Sequence, residues 1–411
     1  MRIAILSGNG KLYSTRRLKE ACQARGHKVR VLDTLEFSIV VEQENPKLFY
    51  RGKEVPRFDA VIPRVSAGVN FFGTAVVRQF EQMGVFCLNS ANAIMASRDK
   101  LRAIQQLCRH QIGIPQTAFV RQKVDVPGAI QQVGGPPVVL KLLEGTQGIG
   151  VMLASDEKMA EAIVETLHSA RQNVLIQRFV KESRGRDIRA FVVGNRVVAA
   201  MRRIARGDEF RSNVHRGGMV EMVQLDSVYE TTAIRAAQVM GLRVAGVDML
   251  ESLEGPKVME VNSSPGLEGI EAATGVDVAA EVIKHIEEEV QFPDIDLRQR
   301  LSLRKGYAVI DVPVDERSEL AHRTLSQARL RDRDVQVLTI TRGSVVIPTP
   351  HESMEILPGD VLLCFGKTFA LKGIAAPPRS AKKKKKRRDP DQLTATGGPR
   401  AAPSRKIARA R

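Results

Sequence analysis

Two apolar runs, Val244–Leu250 and Lys257–Val261, joined through Gly255-Pro256, read as a β-hairpin with a carboxylate inside each strand. Asp248 lies on the first strand and Glu260 on the second, where Val258-Met259 and their apolar neighbours hold it rigidly. Side chains alternate across a strand, so Glu260 and Asn262 point to one face. Two carboxylates and an amide, all oxygen donors, suit Mg²⁺ or Mn²⁺, completed by substrate phosphates and water. A solvated pair of acids at a hairpin is the plainer alternative. The following turn, Asn262-Ser263-Ser264-Pro265-Gly266, argues against it.

Three further features belong with that hairpin. A β-branched strand, Val138–Leu142, carries Lys141 into the loop Gly145-Thr146-Gln147-Gly148-Ile149-Gly150. With Lys100, this combination suits phosphate, because ammonium groups supply charge and exposed backbone amides supply donors. No Gly-Lys-Ser/Thr closes the loop, so it is not a Walker loop. Taken alone, it is equally an ordinary turn with a solvated lysine. Next comes a set of cations, Arg202, Arg203, Arg211, His215 and Arg216, with Asn213 among them and Gly217-Gly218 after them. Such a set can clamp a phosphoryl group or a carboxylate, or form a solvated basic face. Finally, Val174–Val180, with Gln177, Arg178 and Phe179, followed by Asp187, can present a backbone edge to an adenine and an acid to a ribose. Its bland reading is a core strand with a loop acid. Gly8-x-Gly10 followed by Asp33 imitates a dinucleotide fingerprint, but position 13 is Tyr where a third glycine is needed.

The pattern around these motifs predicts three folded units. Residues 1–95 alternate strand and helix: Arg2–Leu6, a helix from about Ser14 to Arg25, Val29–Leu32, Ala60–Pro63 and a helix from about Gly73 to Met83. That order predicts a small α/β domain with a largely parallel sheet. Residues 96–290 read as α+β, with helices at Arg98–His110, Asp156–Ser169, Thr232–Met240 and Val278–Val290. A strand pair, Arg189–Val193 and Arg196–Met201, turns at Gly194-Asn195. After a polar linker at 291–304, residues 305–373 predict a small β-rich unit: strands Tyr307–Val312, Val335–Thr341, Val345–Ile347 and Val361–Phe365, and a helix near Glu319–Leu330.

Charge divides the chain differently. Residues 377–411 hold 13 Lys and Arg against two Asp, so this tail carries +11 of the net +17 and the other 376 residues only +6. Residues 374–411 have almost nothing to bury and are expected to be disordered. No apolar run approaches the ~18 residues of a membrane helix, so no membrane role is expected. Four cysteines with no paired spacing, Cys22, Cys87, Cys108 and Cys364, read as buried, reduced thiols in the cytoplasm.

The motifs resemble those of the ATP-grasp ligases, and closely those of the RimK group of alpha-L-glutamate ligases. The resemblance rests on Phe58–Arg64, Arg98-Asp99-Lys100, Val139–Val151, Phe210–Gly218, Ala245–Asp248 and Met259–Glu271, and covers nearly all of residues 1–290. It implies a pre-ATP-grasp α/β domain followed by a two-lobed ATP-grasp fold. It also implies an ATP-dependent carboxylate–amine ligase that adds L-glutamate to the C-terminal tail of small-subunit ribosomal protein six through an acyl phosphate. By the family pattern, Lys100 and Lys141 hold phosphates, Gln177, Arg178 and Phe179 line the adenine, and Asp187 takes the ribose. Arg211, Ser212 and Asn213 lie at the phosphate end, and Asp248, Glu260 and Asn262 hold two Mg²⁺ or Mn²⁺ ions. Arg203, with Lys141 and Arg211, would stabilise charge on the acyl phosphate. Arg178 departs from the pattern, standing where relatives carry Glu.

Residues 305–373 resemble the TrkA-C type of regulatory domain, on Asp311–Val314, Val337–Ile340, Val346–Pro348 and Leu357–Gly366. That implies a module that binds a small effector or dimerises, and so a homo-oligomer. The basic tail is a candidate contact for ribosomal RNA, or a solubilising segment. Three other functions compete. A ligase of the same type could act on another peptide or small acid. A nucleotide-binding regulator with an idle centre would show damage in the metal set, which is intact. A nucleic-acid binder would interleave basic residues with aromatics, yet aromatics are only 4% with no Trp.

Overall fold

The computed structural model describes residues 1–43, 45–143, 150–207, 209–212, 218–291, 306–343 and 345–375. The glycine loop up to Ile149, Asn213 to Gly217, nearly all of the expected linker and the basic tail therefore lie outside the described residues. The chain divides into two compact units, residues 1–293 and 294–411.

The first unit begins with a four-stranded parallel sheet in the order 28–32, 2–6, 60–63, 86–87. Ile3 to Leu6 are fully buried, as a strand covered on both faces requires. Helices Tyr13–Ala24 and Asn70–Gln82 follow their strands. A small antiparallel sheet, Phe37–Val40, Lys47–Tyr50 and Lys53–Glu54, was not evident from the sequence. Its Phe37 ring packs edge-on against Phe80 of the second helix.

Two antiparallel sheets come next. The smaller runs 151–154, 138–142, 174–178, 117–119, backed by helices Val126–Gln132 and Glu157–Ser169. The larger runs 219–222, 196–204, 186–193, 244–250, 257–262. Alternation gives each sheet one apolar face and one working face. Val138, Leu140, Val174 and Ile176 pack on the helices, which turns Val139, Lys141, Leu175 and Gln177 the other way. On the larger sheet, Ile188, Ala190, Val192, Ala245 and Val247 pack under helix Ser227–Val239. The opposite face is polar at one end, with Asp187, Arg189, Arg203 and Asp248. At its other end Phe191, Val193 and Met201 join Ile3, Ile5, Leu18 and Ile283 in one core. The first sheet and the larger sheet are thus packed as one body. Buried Asn89 fastens them, donating to Val244 O and Ser263 O and accepting from the Arg243 and Val244 amides.

The helix expected over Arg98–His110 is present as Lys100–Arg109, and a further helix, Ala91–Arg98, precedes it. Asp99 separates them because its carboxylate caps the second one, accepting from Arg102 N. Cys108, expected to be buried, is exposed on that helix, while Cys22, Cys87 and Cys364 are buried free thiols.

In the second unit an antiparallel sheet runs 307–313, 361–367, 335–342, 345–348, and helix Thr368–Ala375 packs on its core. The helix expected near Glu319–Leu330 shrinks to Leu325–Ala328. Thr324 and Gln327 form a capping box at its start, and left-handed residues His322 and Arg329 bracket it, so helix cannot continue either way. No helix among the described residues is long and apolar enough to cross a membrane.

Candidate active site

The working faces of the two antiparallel sheets enclose one cavity. Lys100, Lys141, Gln177, Arg178, Phe179, Asp187, Arg203, Arg211, Ser212, Asp248 and Glu260 all line it. Asn262 is the exception: it follows Glu260 on the same face, outside the cavity lining, and its amide donates to Gly246 O at 3.4 Å.

On the larger sheet the register sets a row of charges. Asp187 pairs with Arg203, Arg189 with Asp248, and Asp248 with Glu260 across neighbouring strands. Directly paired residues share a face, so all five meet. Arg189 grips Asp248 with two hydrogen bonds, Nε to Oδ1 at 2.7 Å and Nη2 to Oδ2 at 2.6 Å. Arg203 donates from Nε to Asp187 at 2.6 Å and from Nη2 to Asp248 at 2.8 Å. Ser212 donates its hydroxyl to Asp187. Burial raises the Asp187 pKa. Burial also opposes charge on Asp248, but the two guanidiniums outweigh it and leave the Asp248 pKa below its ordinary value. Burial works against charge on Arg203 as well, and the two acids hold it firmly protonated.

Across the cavity the smaller sheet contributes an ammonium with no such partner. Among the described residues Lys141 makes no hydrogen bond or ion pair, and burial pushes its pKa down to about 8, with Lys100 adding repulsion and Glu260 opposing. Burial also lowers the pKa of Lys100, whose Nζ donates to Leu143 O at 2.8 Å. Glu260 is the acidic counterpart of Lys141. It too has no hydrogen-bond partner among the described residues, and enclosure plus the nearby Asp248 charge raise its pKa. A cation with little access to water and a solvent-accessible carboxylate face the same space, and among the described residues each is free to take a ligand.

Several of the expected site residues also have partners within the protein. Asp187, read as a ribose contact, is 2% exposed and committed to Arg203 and Ser212. Gln177, read as an adenine contact, is buried with its amide donating to Thr117 Oγ1 at 2.8 Å. Arg178 sends its side chain outward, to within 3.8 Å of Glu254, while its backbone amide bonds Gln116 O. Arg211 is held by both oxygens of Glu209. Arg202, grouped with the site cations from sequence, bonds Glu221 and Glu251 and does not line the cavity. Asn213, His215 and Arg216 lie outside the described residues. Arg189 was missed as a site residue; its spacing of two from Asp187 was the available signal. Also missed was the bulge at Met259, where the register slips between Asp248 and Met249. It turns Met259 and Glu260 together toward the cavity. Asp33 needs no nucleotide to explain it, since its carboxylate caps the turn at Leu35.

The donor set fits a hard divalent cation. Glu260 offers an unused carboxylate, and Asp248 has lone pairs beyond its arginine bonds. Asn262 keeps its amide oxygen, and all these donors are oxygens.

A model of the RimK-like ATP-grasp domain matches residues 97–286, the RimK PreATP-grasp domain matches 1–94, and the TrkA-C domain matches 309–372. A probable alpha-L-glutamate ligase of Rhodopirellula baltica is 58% identical over 374 residues, 91% of this chain and 92% of its own. One from Vibrio atlanticus is 55% identical over 291 residues, 71% of this chain and 97% of its own. Among solved structures, the ATP-grasp ligase PsnB complexed with minimal precursor, Mg and ADP has a TM-score of 0.57 at 20% identity, over 71% of this chain and 98% of its own. A RimK domain protein from Sphaerobacter thermophilus scores 0.53 at 24% identity, over 70% of this chain and 100% of its own. Those two share the fold. The chain belongs to the RimK-like ATP-grasp family of alpha-L-glutamate ligases, ATP-dependent enzymes that use a divalent metal.

Proposed function

We propose that this ligase joins L-glutamate to the C-terminal carboxylate of a peptide, the tail of small-subunit ribosomal protein six. Support comes from Lys141 and Glu260, which line one cavity between two sheets and have no hydrogen-bond partner among the described residues. A carboxylate is a poor electrophile. Transfer of the γ-phosphoryl group to its oxygen releases ADP and makes phosphate the leaving group. The glutamate amine then attacks the acyl carbon, an amide forms, phosphate departs, and the amine gives up a proton.

Lys141 and Lys100 hold the phosphates, and the Phe179–Val180 backbone faces the adenine. Asp248, Glu260 and Asn262 hold two Mg²⁺ or Mn²⁺ ions, which supply charge neutralisation on the triphosphate. Arg203 spends Nε and Nη2 on the two acids and keeps Nη1 for charge developing on the acyl phosphate. Asp187 and Arg189 position Arg203 and Asp248. Ser212 and Arg211 serve the phosphate end. A peptide acceptor accords with PsnB, which was solved with a precursor peptide. In the same reading the 306–375 unit binds a small effector or dimerises the enzyme, and the basic tail contacts ribosomal RNA.

The acyl-phosphate step is tested with an acceptor peptide whose terminal carboxylate carries oxygen-18. Label in the released phosphate, dependent on glutamate, is the expected result. Unlabelled phosphate alongside amide formation contradicts the step.

A further inference from the structure

The chemistry proposed above leaves a second cationic feature unused, at the edge of the parallel sheet. In that sheet the chain runs from strand 2–6 to 28–32 on one side, then crosses to 60–63 on the other. The crevice beyond the carboxyl ends of 2–6 and 60–63 is therefore the topological switch point, where sheets of this kind take ligands. Arg64 is the first residue past strand 60–63, with its amide bonded to Leu6 O at 2.8 Å.

Among the described residues its guanidinium has no acid partner. Nη1 donates to Pro265 O at 2.7 Å, and that is its one hydrogen bond among the described residues. Burial alone pushes its pKa down, to about 10, so it stays charged at neutral pH. Arg98 is similar: it donates to Ser66 O at 3.2 Å, to Asn70 Oδ1 at 2.6 Å and to Val65 O, fixing the segment that follows Arg64, and no acid among the described residues offsets it. Other partly or fully buried arginines of this unit are paired: Arg17 with Glu271, Arg189 with Asp248, Arg203 with Asp187 and Asp248. The remaining Arg64 nitrogens are not sealed from solvent, because the only sealed, unsatisfied side-chain atoms among the described residues are Gln106 Oε1 and His285 Nε2. Arg64 is thus an enclosed cation with donors left over at the switch point.

That crevice adjoins the reacting face. Pro265 lies three residues beyond Asn262, and a Cβ on Gly246 would stand 2.8 Å from Pro265 and 3.7 Å from Arg189 Nε. The contacts run from Arg64 through Pro265 to the Arg189–Asp248 pair.

We propose that Arg64, with Arg98 bracing the adjoining segment, binds the side-chain carboxylate of the incoming amino acid. This rests on the glutamate-ligase reading and says how the site would select glutamate. In glutamate the amine reacts and both carboxylates are spectators that stay charged. A guanidinium meets a carboxylate through two parallel N–H donors, and a desolvated one strongly prefers an anion to a neutral amide. Empty, the site carries the cost of an unpaired buried charge, which a small anionic ligand offsets.

The test uses the full chain with Arg64→Gln and Arg64→Lys, measuring ADP release against L-glutamate, acceptor peptide and ATP in turn. A lost charge-assisted hydrogen bond should raise the KM for L-glutamate by about tenfold to a hundredfold in Arg64→Gln. The KM values for ATP and acceptor should stay put, and the preference for L-glutamate over L-glutamine should collapse. Arg64→Lys, which keeps the charge without the fork, should fall between. No acid loses its partner, so the melting temperature should hold or rise. An unchanged KM for L-glutamate, or a rise confined to the acceptor, overturns the assignment and leaves the ligase reading intact. A wild-type chain with no glutamate-dependent ADP release overturns both.

Discussion

Lys141 ties stability to function most tightly, because its ammonium is desolvated and has no partner among the described residues. Its folded-state pKa is about 8 against an ordinary 10.5. Below about pH 8 both folded and unfolded states hold the proton, and the penalty for burying it is fully present, roughly 3 kcal/mol. Between pH 8 and 10.5 the folded state sheds its proton first. The unfolded state then binds more protons, so stability rises with pH through that window. Lys141→Met removes the charge while keeping the packing. By urea denaturation the variant should be more stable than the parent by roughly 3 kcal/mol at about pH 7, narrowing to about 1 kcal/mol at about pH 10. ATP should counter this: a lost charge-assisted phosphate contact should weaken nucleotide binding by about tenfold to a hundredfold. A gap that does not narrow with pH, or a variant less stable than the parent, would refute the desolvation argument. Unchanged ATP affinity would remove Lys141 from the phosphate site.

Glu260→Gln should abolish turnover while stability holds or rises, since it deletes a carboxylate repelled by Asp248; retained turnover would exclude Glu260 from the metal set. Arg203→Met should cost about 3–5 kcal/mol in urea unfolding, because it strands buried Asp187 with only Ser212. Adding Asp187→Asn should recover part of that loss, and a single-variant loss below about 1 kcal/mol would show that the network is not sustaining the sheet.

The sequence made the buried strands legible and the polar network only half so. Arg2–Leu6, Ala60–Pro63, Val138–Leu142 and Val244–Leu250 are apolar runs bounded by turns, and the structure has strands with those ends. Asp248, Glu260, Lys100 and Lys141 could be grouped because each is a charge inside or beside such a run. What the sequence hid depends on neighbours in space. Arg189 and Arg203 look alike in the chain, yet both converge on Asp248 because three strands align. Asp187 looked like a loop acid until register placed it opposite Arg203. The Met259 bulge leaves no local mark, and it breaks the strict alternation by which Glu260 was placed. In the second unit the expected long helix failed because two residues took left-handed conformations that their side chains do not announce.

The most direct measurement is intact-mass spectrometry of purified small-subunit ribosomal protein six after incubation with this enzyme, ATP, Mg²⁺ and L-glutamate. The account predicts a ladder of added glutamyl residues confined to the C-terminal peptide, absent without ATP and absent with Glu260→Gln. An unmodified protein under conditions where the enzyme releases ADP with glutamate and some other acid would contradict the acceptor. No glutamate-dependent ADP release with any acid would contradict the ligase assignment itself.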